Sequence, residues 1–351
     1  MGINEGIIRF GLIGCGINGL RQHAELLSEI PGVQLVAVCD EVEEKAKAAA
    51  AQYQTDYYTH YEDMLNRSDI DVITISLPSG LHADVAVACA KAGKHALVEK
   101  PMDITLVNAD RMIAAFRSAG KKLSIISQHR FDPAIVWVKE KLAAGKFGRL
   151  ILGTAAVNWY RTQEYYDSGE WRGTWALDGG GALMNQSIHT IDLLQHLFGP
   201  VEEIHAYTDL LGHERIEVED VAVATLRFRS GAIGTIVGTT CAYPGLKTRL
   251  EIFGKNGTAI IEKDKLVYSS FRDEAEAVSS EDAGGETEGA SKPEAISVKA
   301  HRLQIEDMAD AVRNDRDPAI TGEEGRKALE IILAIYRSAQ EGKPIKLPLE
   351  A

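Results

Sequence analysis

Wound as a helix at about 100° per residue, the stretch MNQSIHTIDLLQHLFG (184–199) puts Asn185, His189, Asp192 and His196 on one narrow arc. Met184, Ile188, Ile191, Leu194 and Phe198 cover much of the remaining circumference. A polar stripe on an apolar helix can be a proton-transfer site, a metal site or a solvated face. His189 and His196 are two turns apart, about 10.5 Å along an ideal helix, so one zinc does not readily take both. His189 with Asp192 could share an ion, but no further ligand cluster is visible, and no metal is expected. His189 and Asn185 sit just after Gly179-Gly180-Gly181 and form the pair best placed to meet a substrate. Asp192 could contact neighbouring hydroxyls or orient His189 from i+3, while His196 reads as structural or solvent-facing.

Two other segments carry chemistry. In Glu99-Lys100-Pro101 a lysine stands at a predicted strand end, stiffened by the proline. Beside a cationic nicotinamide its proton affinity would fall, so it could hold or deprotonate a hydroxyl. Gly14-Cys15-Gly16-Ile17-Asn18-Gly19 follows the apolar run IIRFGLI and opens a helix. Gly14 suits a tight turn, Gly16 a close approach of backbone to pyrophosphate, and Gly19 close packing of helix on strand. The N–H groups of Gly16, Ile17, Asn18 and Gly19 and the helix dipole then face the phosphates. Asp40, ending LVAVCD, would accept hydrogen bonds from a ribose and repel a 2′-phosphate, which favours NAD over NADP. LPSGLH, with Pro78 and His82, follows the fourth apolar run and so sits at a strand end, where doubly wound folds bind ligands.

Elements must position these residues. IIRFGLI, VQLVAVC, DVITISL, HALVE and KLSIIS are continuous apolar runs, as strands buried on both faces of a parallel sheet require. Helical patterns between them predict a doubly wound α/β domain over 1–128. Beyond it, longer strands with hairpin turns such as GKNGT predict an α+β domain over 129–351, with an open, mostly antiparallel sheet flanked by helices. The acidic, Gly/Ser-rich segment 272–293 reads as an exposed, flexible excursion. The chain has 351 residues, is 45% hydrophobic and carries a formal charge of −13, which disfavours nucleic acid and anionic membranes. Its four cysteines form no CxxC pair, and no apolar run approaches a membrane span, so a soluble, cytoplasmic protein is expected.

GCGxxG, LPSGLH, VEKP and GGGALMNQSIHTIDLL, in that order, resemble the Gfo/Idh/MocA oxidoreductases over nearly the whole chain. The resemblance implies a Rossmann domain, then a domain whose sheet makes homodimer or homotetramer contacts. It also implies hydride transfer between NAD and a ring carbon of a sugar, nucleotide sugar or cyclitol. Lys100 matches the lysine that orients the reacting hydroxyl, Glu99 and His82 match positions near the cofactor, and His189 matches the usual proton acceptor. Many members carry Asp four residues before that histidine, where this chain has Asn185. Asn cannot raise the proton affinity of His189, which moves the role of main base toward Lys100 or a relay. NWYRTQEYYDSGEWRGTW and GALMNQSIH resemble the members that act as UDP-N-acetyl-2-amino-2-deoxyglucuronate 3-dehydrogenases. There Trp171 can stack on a sugar face while Arg161 and Arg172 pair with carboxylate or phosphate. A glycosidase-type hydrolase that uses NAD transiently and a non-catalytic NAD or sugar sensor are the alternatives.

Overall fold

The computed structural model describes residues 6–274, 278–279 and 299–350, so most of the acidic segment 272–293 lies outside the described residues. The chain divides into two compact units, 1–128 with 297–326 and 129–296 with 327–351.

The first unit is a six-stranded parallel sheet. Its strands β1 (Ile8–Ile13), β2 (Val33–Cys39), β3 (Asp56–Tyr58), β4 (Val72–Ile75), β5 (His95–Val98) and β6 (Leu123–Ile125) lie in the order 3-2-1-4-5-6. That order reverses between β1 and β4, and a doubly wound sheet opens its ligand crevice at such a point. The covering helices include α1 (Glu25–Glu29, entered through the turn Gly19–Ala24), α2 (Glu43–Tyr53), α3 (Tyr61–Leu65), α4 (His82–Lys91) and α5 (Leu106–Ala119). β1 and β4 are buried almost throughout, which explains their unbroken apolar sequence.

The sequence assigns everything after residue 128 to a second domain, whereas 297–326 returns to the first unit. The reason is a buried stripe. Ile305, Met308 and Ala309 of a helix numbered α9 below (Lys299–Arg313) enter the same apolar cluster as Phe10 and Leu12 of β1. Gln304 secures the helix: its Nε2 donates to the Ile125 carbonyl and its Oε1 accepts from the Ser127 N–H.

In the second unit, α6 (Pro133–Ala143) leads into a nine-stranded mixed sheet. It comprises β7 (Leu150–Asn158), β8 (Val201–Asp209), β9 (Val221–Phe228), β10 (Ile233–Thr239), β11 (Arg249–Gly254), β12 (Gly257–Glu262), β13 (Lys265–Phe271), β14 (Val278–Ser279) and β15 (Ile345–Lys346). Only β7 and β10 pair in parallel; the other pairs are antiparallel, as the hairpin turns predict. α7 (Gln163–Asp167) and α8 (Ile188–Phe198) follow β7. α8 covers one sheet face, and Gly153 of β7 lets it approach: a Cβ there would lie 2.6 Å from the Phe198 ring. On the other face, Tyr207, Val223 and Val237 stand in one cross-strand row, with Tyr207 74% exposed. α10 (Gly322–Glu341) runs through the division between the units. No helix among the described residues is long and apolar enough to cross a membrane.

Candidate active site

The Gly-rich turn has the geometry a pyrophosphate needs. Gly14 has φ +98°, and a Cβ there would meet the Ser76 carbonyl oxygen at 2.1 Å. A Cβ on Gly19 would meet the Gly14 carbonyl oxygen at 1.9 Å, so both glycines are required by the fold itself. Gly16 differs, since nothing lies within 4 Å of its Cβ position. Its absent side chain leaves open space, with Ile17 78% exposed beside it. Asp40 joins β2 to this turn, accepting from the Cys15 N–H at 2.9 Å and the Val42 N–H at 3.0 Å. These residues fit a dinucleotide: a glycine held open, a helix start behind it and a carboxylate at the end of β2.

The Glu99-Lys100-Pro101 segment is held from beneath. Glu99, 6% exposed, accepts from His23 Nε2 at 3.0 Å, and His301 Nε2 lies 3.5 Å from the same oxygen. Its other oxygen accepts the Lys100 N–H at 3.0 Å. Burial opposes this charge, but the two histidines outweigh it and hold the carboxyl well below its usual range. Glu99 was expected at the cofactor; its carboxylate is instead a buried anchor for the Lys100 backbone. His82 was also expected near the cofactor and is fully buried. Its Nδ1 lies 2.8 Å from the Pro101 carbonyl and its Nε2 2.9 Å from the Leu77 carbonyl, bracing the loops that carry Lys100 and Pro78. Both side chains are buried and spend their polar atoms on partners within the first unit.

In the second unit, α8 is preceded by a wide π-helical turn, Ala182–Ser187, which carries Asn185. Such turns recur at functional sites because one extra residue re-aims the side chains around it. Asn185 Nδ2 donates to Asp178 Oδ1 at 2.7 Å. His189 meets the His129 ring edge to face, with centroids 5.1 Å apart. Asp192, expected at the substrate, is 2% exposed and accepts from Arg130 Nε and Nη2 at 2.8 and 2.6 Å. The stripe is therefore divided: Asn185 and His189 serve one end, while Asp192 belongs to a buried ion pair.

Arg161 and Arg172 converge on Tyr165. Their guanidinium carbons lie 5.4 and 4.5 Å from its ring centroid, and Arg172 also stacks on Trp171 at 4.5 Å. Arg172 Nη1 donates to the Tyr165 hydroxyl, and Arg161 Nη2 donates to Gln186 on the π-helical turn. Arg172 also lines a cavity of about 370 Å³ with Tyr166, Gly173, Arg215 and Glu217.

Residues 8–127 match the oxidoreductase family's NAD-binding Rossmann fold, and residues 139–347 match its C-terminal alpha/beta domain. The chain belongs to the Gfo/Idh/MocA oxidoreductase family. It is 36% identical to the WlbA dehydrogenase of Bordetella pertussis, solved in complex with NADH and UDP-GlcNAcA, covering 98% of this chain and 99% of that one with a TM-score of 0.86. It is 27% identical to myo-inositol 2-dehydrogenase of Thermotoga maritima, over 97% of this chain and 98% of the relative. D-apiose dehydrogenase of Paraburkholderia graminis is 28% identical, over 96% of this chain and 88% of its own. This Gfo/Idh/MocA chain is an NAD-dependent oxidoreductase.

Several residues of this family member had no advance signal. Glu219, in VEDVAVA, caps the π-helical turn by accepting the Gly181 and Leu183 N–H groups at 2.9 and 2.8 Å and the Tyr336 hydroxyl at 2.9 Å. Burial lifts its carboxyl to about 7 against those donors. His213, Asp220 and Cys241 also gather, with Asp220 accepting the Leu211, Gly212 and His213 N–H groups. His129 and Asp132 are an i,i+3 pair legible in QHRFD, but their third partner, Asp264, is distant in sequence.

Proposed function

We propose that this chain oxidises a ring hydroxyl of an acidic, nucleotide-linked sugar, with Lys100 and His189 managing the hydroxyl and its proton. The observation that carries the reading is Arg172, partly buried on the faces of Tyr165 and Trp171 and lining the cavity, while Arg161, only 2% exposed, braces the turn leading into the His189 helix from beneath Tyr165. A cation on a cavity wall suits a carboxylate or diphosphate, and Trp171 beside Arg172 offers an aromatic face to a sugar. The 36% identical relative is bound to UDP-GlcNAcA, a ligand with both anionic groups and a sugar ring. An inositol or a free aldose gives Arg172 no charge to meet.

When bound, NAD supplies the hydride acceptor. The chain's part is positioning and proton transfer. Lys100, its backbone tied to Glu99, directs an ammonium at the hydroxyl oxygen. His189 takes the proton, and Asn185, locked to Asp178, fixes the turn from which α8 starts. Asp40 binds the adenosine ribose, and Gly16 to Gly19 receive the pyrophosphate. Four free thiols suit a cytoplasmic setting. The row Tyr207–Val223–Val237 on the uncovered sheet face suits a second copy of the chain, as a homodimer or as half of a homotetramer contact.

The test is a panel of UDP-linked uronates, free uronates, aldoses and inositols scored by NADH formation. The UDP-linked uronate should give the highest kcat/KM, and Arg172→Ala should raise its KM by roughly 10- to 100-fold, the loss expected of a charge-assisted contact. Lys100→Ala with undiminished turnover, or equal rates for neutral and acidic sugars, sinks the reading.

A further inference from the structure

The run Gly179-Gly180-Gly181 ahead of α8 has a partner far along the chain. A helix needs acceptors for its first N–H groups, and Gly181 has no side chain to supply one. Glu219, 4% exposed, supplies three. Its Oε2 accepts the Gly181 N–H at 2.9 Å, its Oε1 the Leu183 N–H at 2.8 Å, and its main-chain carbonyl the Ala182 N–H at 3.0 Å. The Tyr336 hydroxyl donates to Oε1 at 2.9 Å, and the Trp175 and Tyr336 rings meet edge to face. The glycines make this approach possible. A Cβ on Gly181 would meet the Glu219 carbonyl oxygen at 1.9 Å, and one on Gly180 would meet the Tyr336 hydroxyl at 2.1 Å.

We propose that Glu219 is a positioning residue of the reaction: by gathering the leading N–H groups of the turn Ala182–Ser187, it sets where Asn185 and His189 stand. This rests on the reading in which that pair meets the substrate hydroxyl. With Gly181 held, its carbonyl accepts the Asn185 N–H at 3.1 Å, and the Asn185 amide reaches Asp178 at 2.7 Å. His189 follows on the same helical run. A displacement of about 1 Å at reacting groups can cost about 100-fold in rate, so an anchor remote from the chemistry still governs it. Both carboxylate oxygens are needed as acceptors. In Glu219→Gln, whichever way the amide is turned, the N–H of Gly181 or of Leu183 faces an NH2 group, and a buried donor loses its acceptor. The turn must then shift. Tyr336→Phe is the milder change, since it leaves both N–H bonds in place.

The test compares Glu219→Gln and Tyr336→Phe with the wild type on whichever sugar of the panel reduces NAD fastest, so it does not require that sugar to be acidic or nucleotide-linked. All four tryptophans, Trp137, Trp159, Trp171 and Trp175, lie in the second unit, so their fluorescence reports its folding. In folded enzyme, Glu219→Gln should lower kcat by roughly 10- to 100-fold with the NADH dissociation constant unchanged, and Tyr336→Phe should lower kcat by about threefold. Amide hydrogen exchange in the protein alone should quicken by at least about tenfold across 181–189 in Glu219→Gln, and not in the sheet. A stabilising role alone would lower the melting temperature and leave kcat per folded molecule as it is. That result, or unchanged exchange across 181–189, overturns the inference. If Glu219→Gln does not fold, Tyr336→Phe decides, and a kcat equal to wild type sinks the proposal. Failure of the functional reading looks different: Lys100→Ala or His189→Ala then keeps full turnover while exchange across 181–189 still quickens in Glu219→Gln.

Discussion

At the scale of single residues, the three glycines of one motif have separable roles. Gly14 and Gly19 are demanded by close backbone contacts, whereas Gly16 faces open space. Gly19→Ala should therefore destabilise the first unit, by about 2 kcal/mol or more, because its Cβ would overlap the Gly14 carbonyl. Gly16→Val should leave the melting temperature within a degree or two and weaken NADH binding by at least about tenfold, as a side chain fills the pyrophosphate space. Calorimetry and fluorescence titration distinguish the two; equal binding by Gly16→Val would mean that the turn does not hold the pyrophosphate. Each glycine's place in the motif is legible in the sequence. Which one the cofactor needs follows from what stands opposite it.

At the scale of elements, α8 shows how an amphipathic pattern can be read correctly and still assign one residue wrongly. Asp192 shares a helical arc with His189, and spacing alone offers it to the substrate. Arg130, 62 positions earlier, reaches it inside the unit and takes both oxygens. A buried pair broken from one side leaves an uncompensated charge. Arg130→Ala and Asp192→Asn should each cost about 3–5 kcal/mol in urea unfolding, since either one leaves a buried charge without its counter-charge. A loss below about 1 kcal/mol in Arg130→Ala would place Asp192 back among the residues available to substrate. The same contrast holds at Glu219, which caps the turn ahead of α8 from the irregular segment just before β9. Periodicity reports which face an element buries, but not which distant side chain meets it there.

At the scale of the whole molecule, one sheet face of the second unit carries an exposed apolar row. Strand alternation puts Ala206, Ala224 and Ile236 under the helices and Tyr207, Val223 and Val237 outward. An exposed apolar row on a wide antiparallel face is a common mark of self-association. Tyr207→Asp with Val223→Asp should reduce the mass measured by light scattering toward that of one 38.2 kDa chain while sparing NADH binding. An unchanged mass would count against this row as a contact between copies of the chain. The return of 297–326 to the first unit belongs to this scale as well: α9 is amphipathic in sequence, but its apolar stripe does not name the sheet that receives it.

The sequence by itself determined the alternation of strand and helix, the Gly-rich turn with Asp40, the Glu99-Lys100-Pro101 strand end and the polar stripe around His189. These depend on local spacing and on chemistry within a few residues. Only the tertiary structure decided that Glu99 and His82 are buried anchors, that Asp192 answers Arg130, and that His129 meets both Asp132 and Asp264 beside the His189 ring. Each of those outcomes depends on burial and on partners far apart along the chain. Burial makes an unpaired charge costly, so a side chain's role is set by whatever group the fold brings within hydrogen-bond reach.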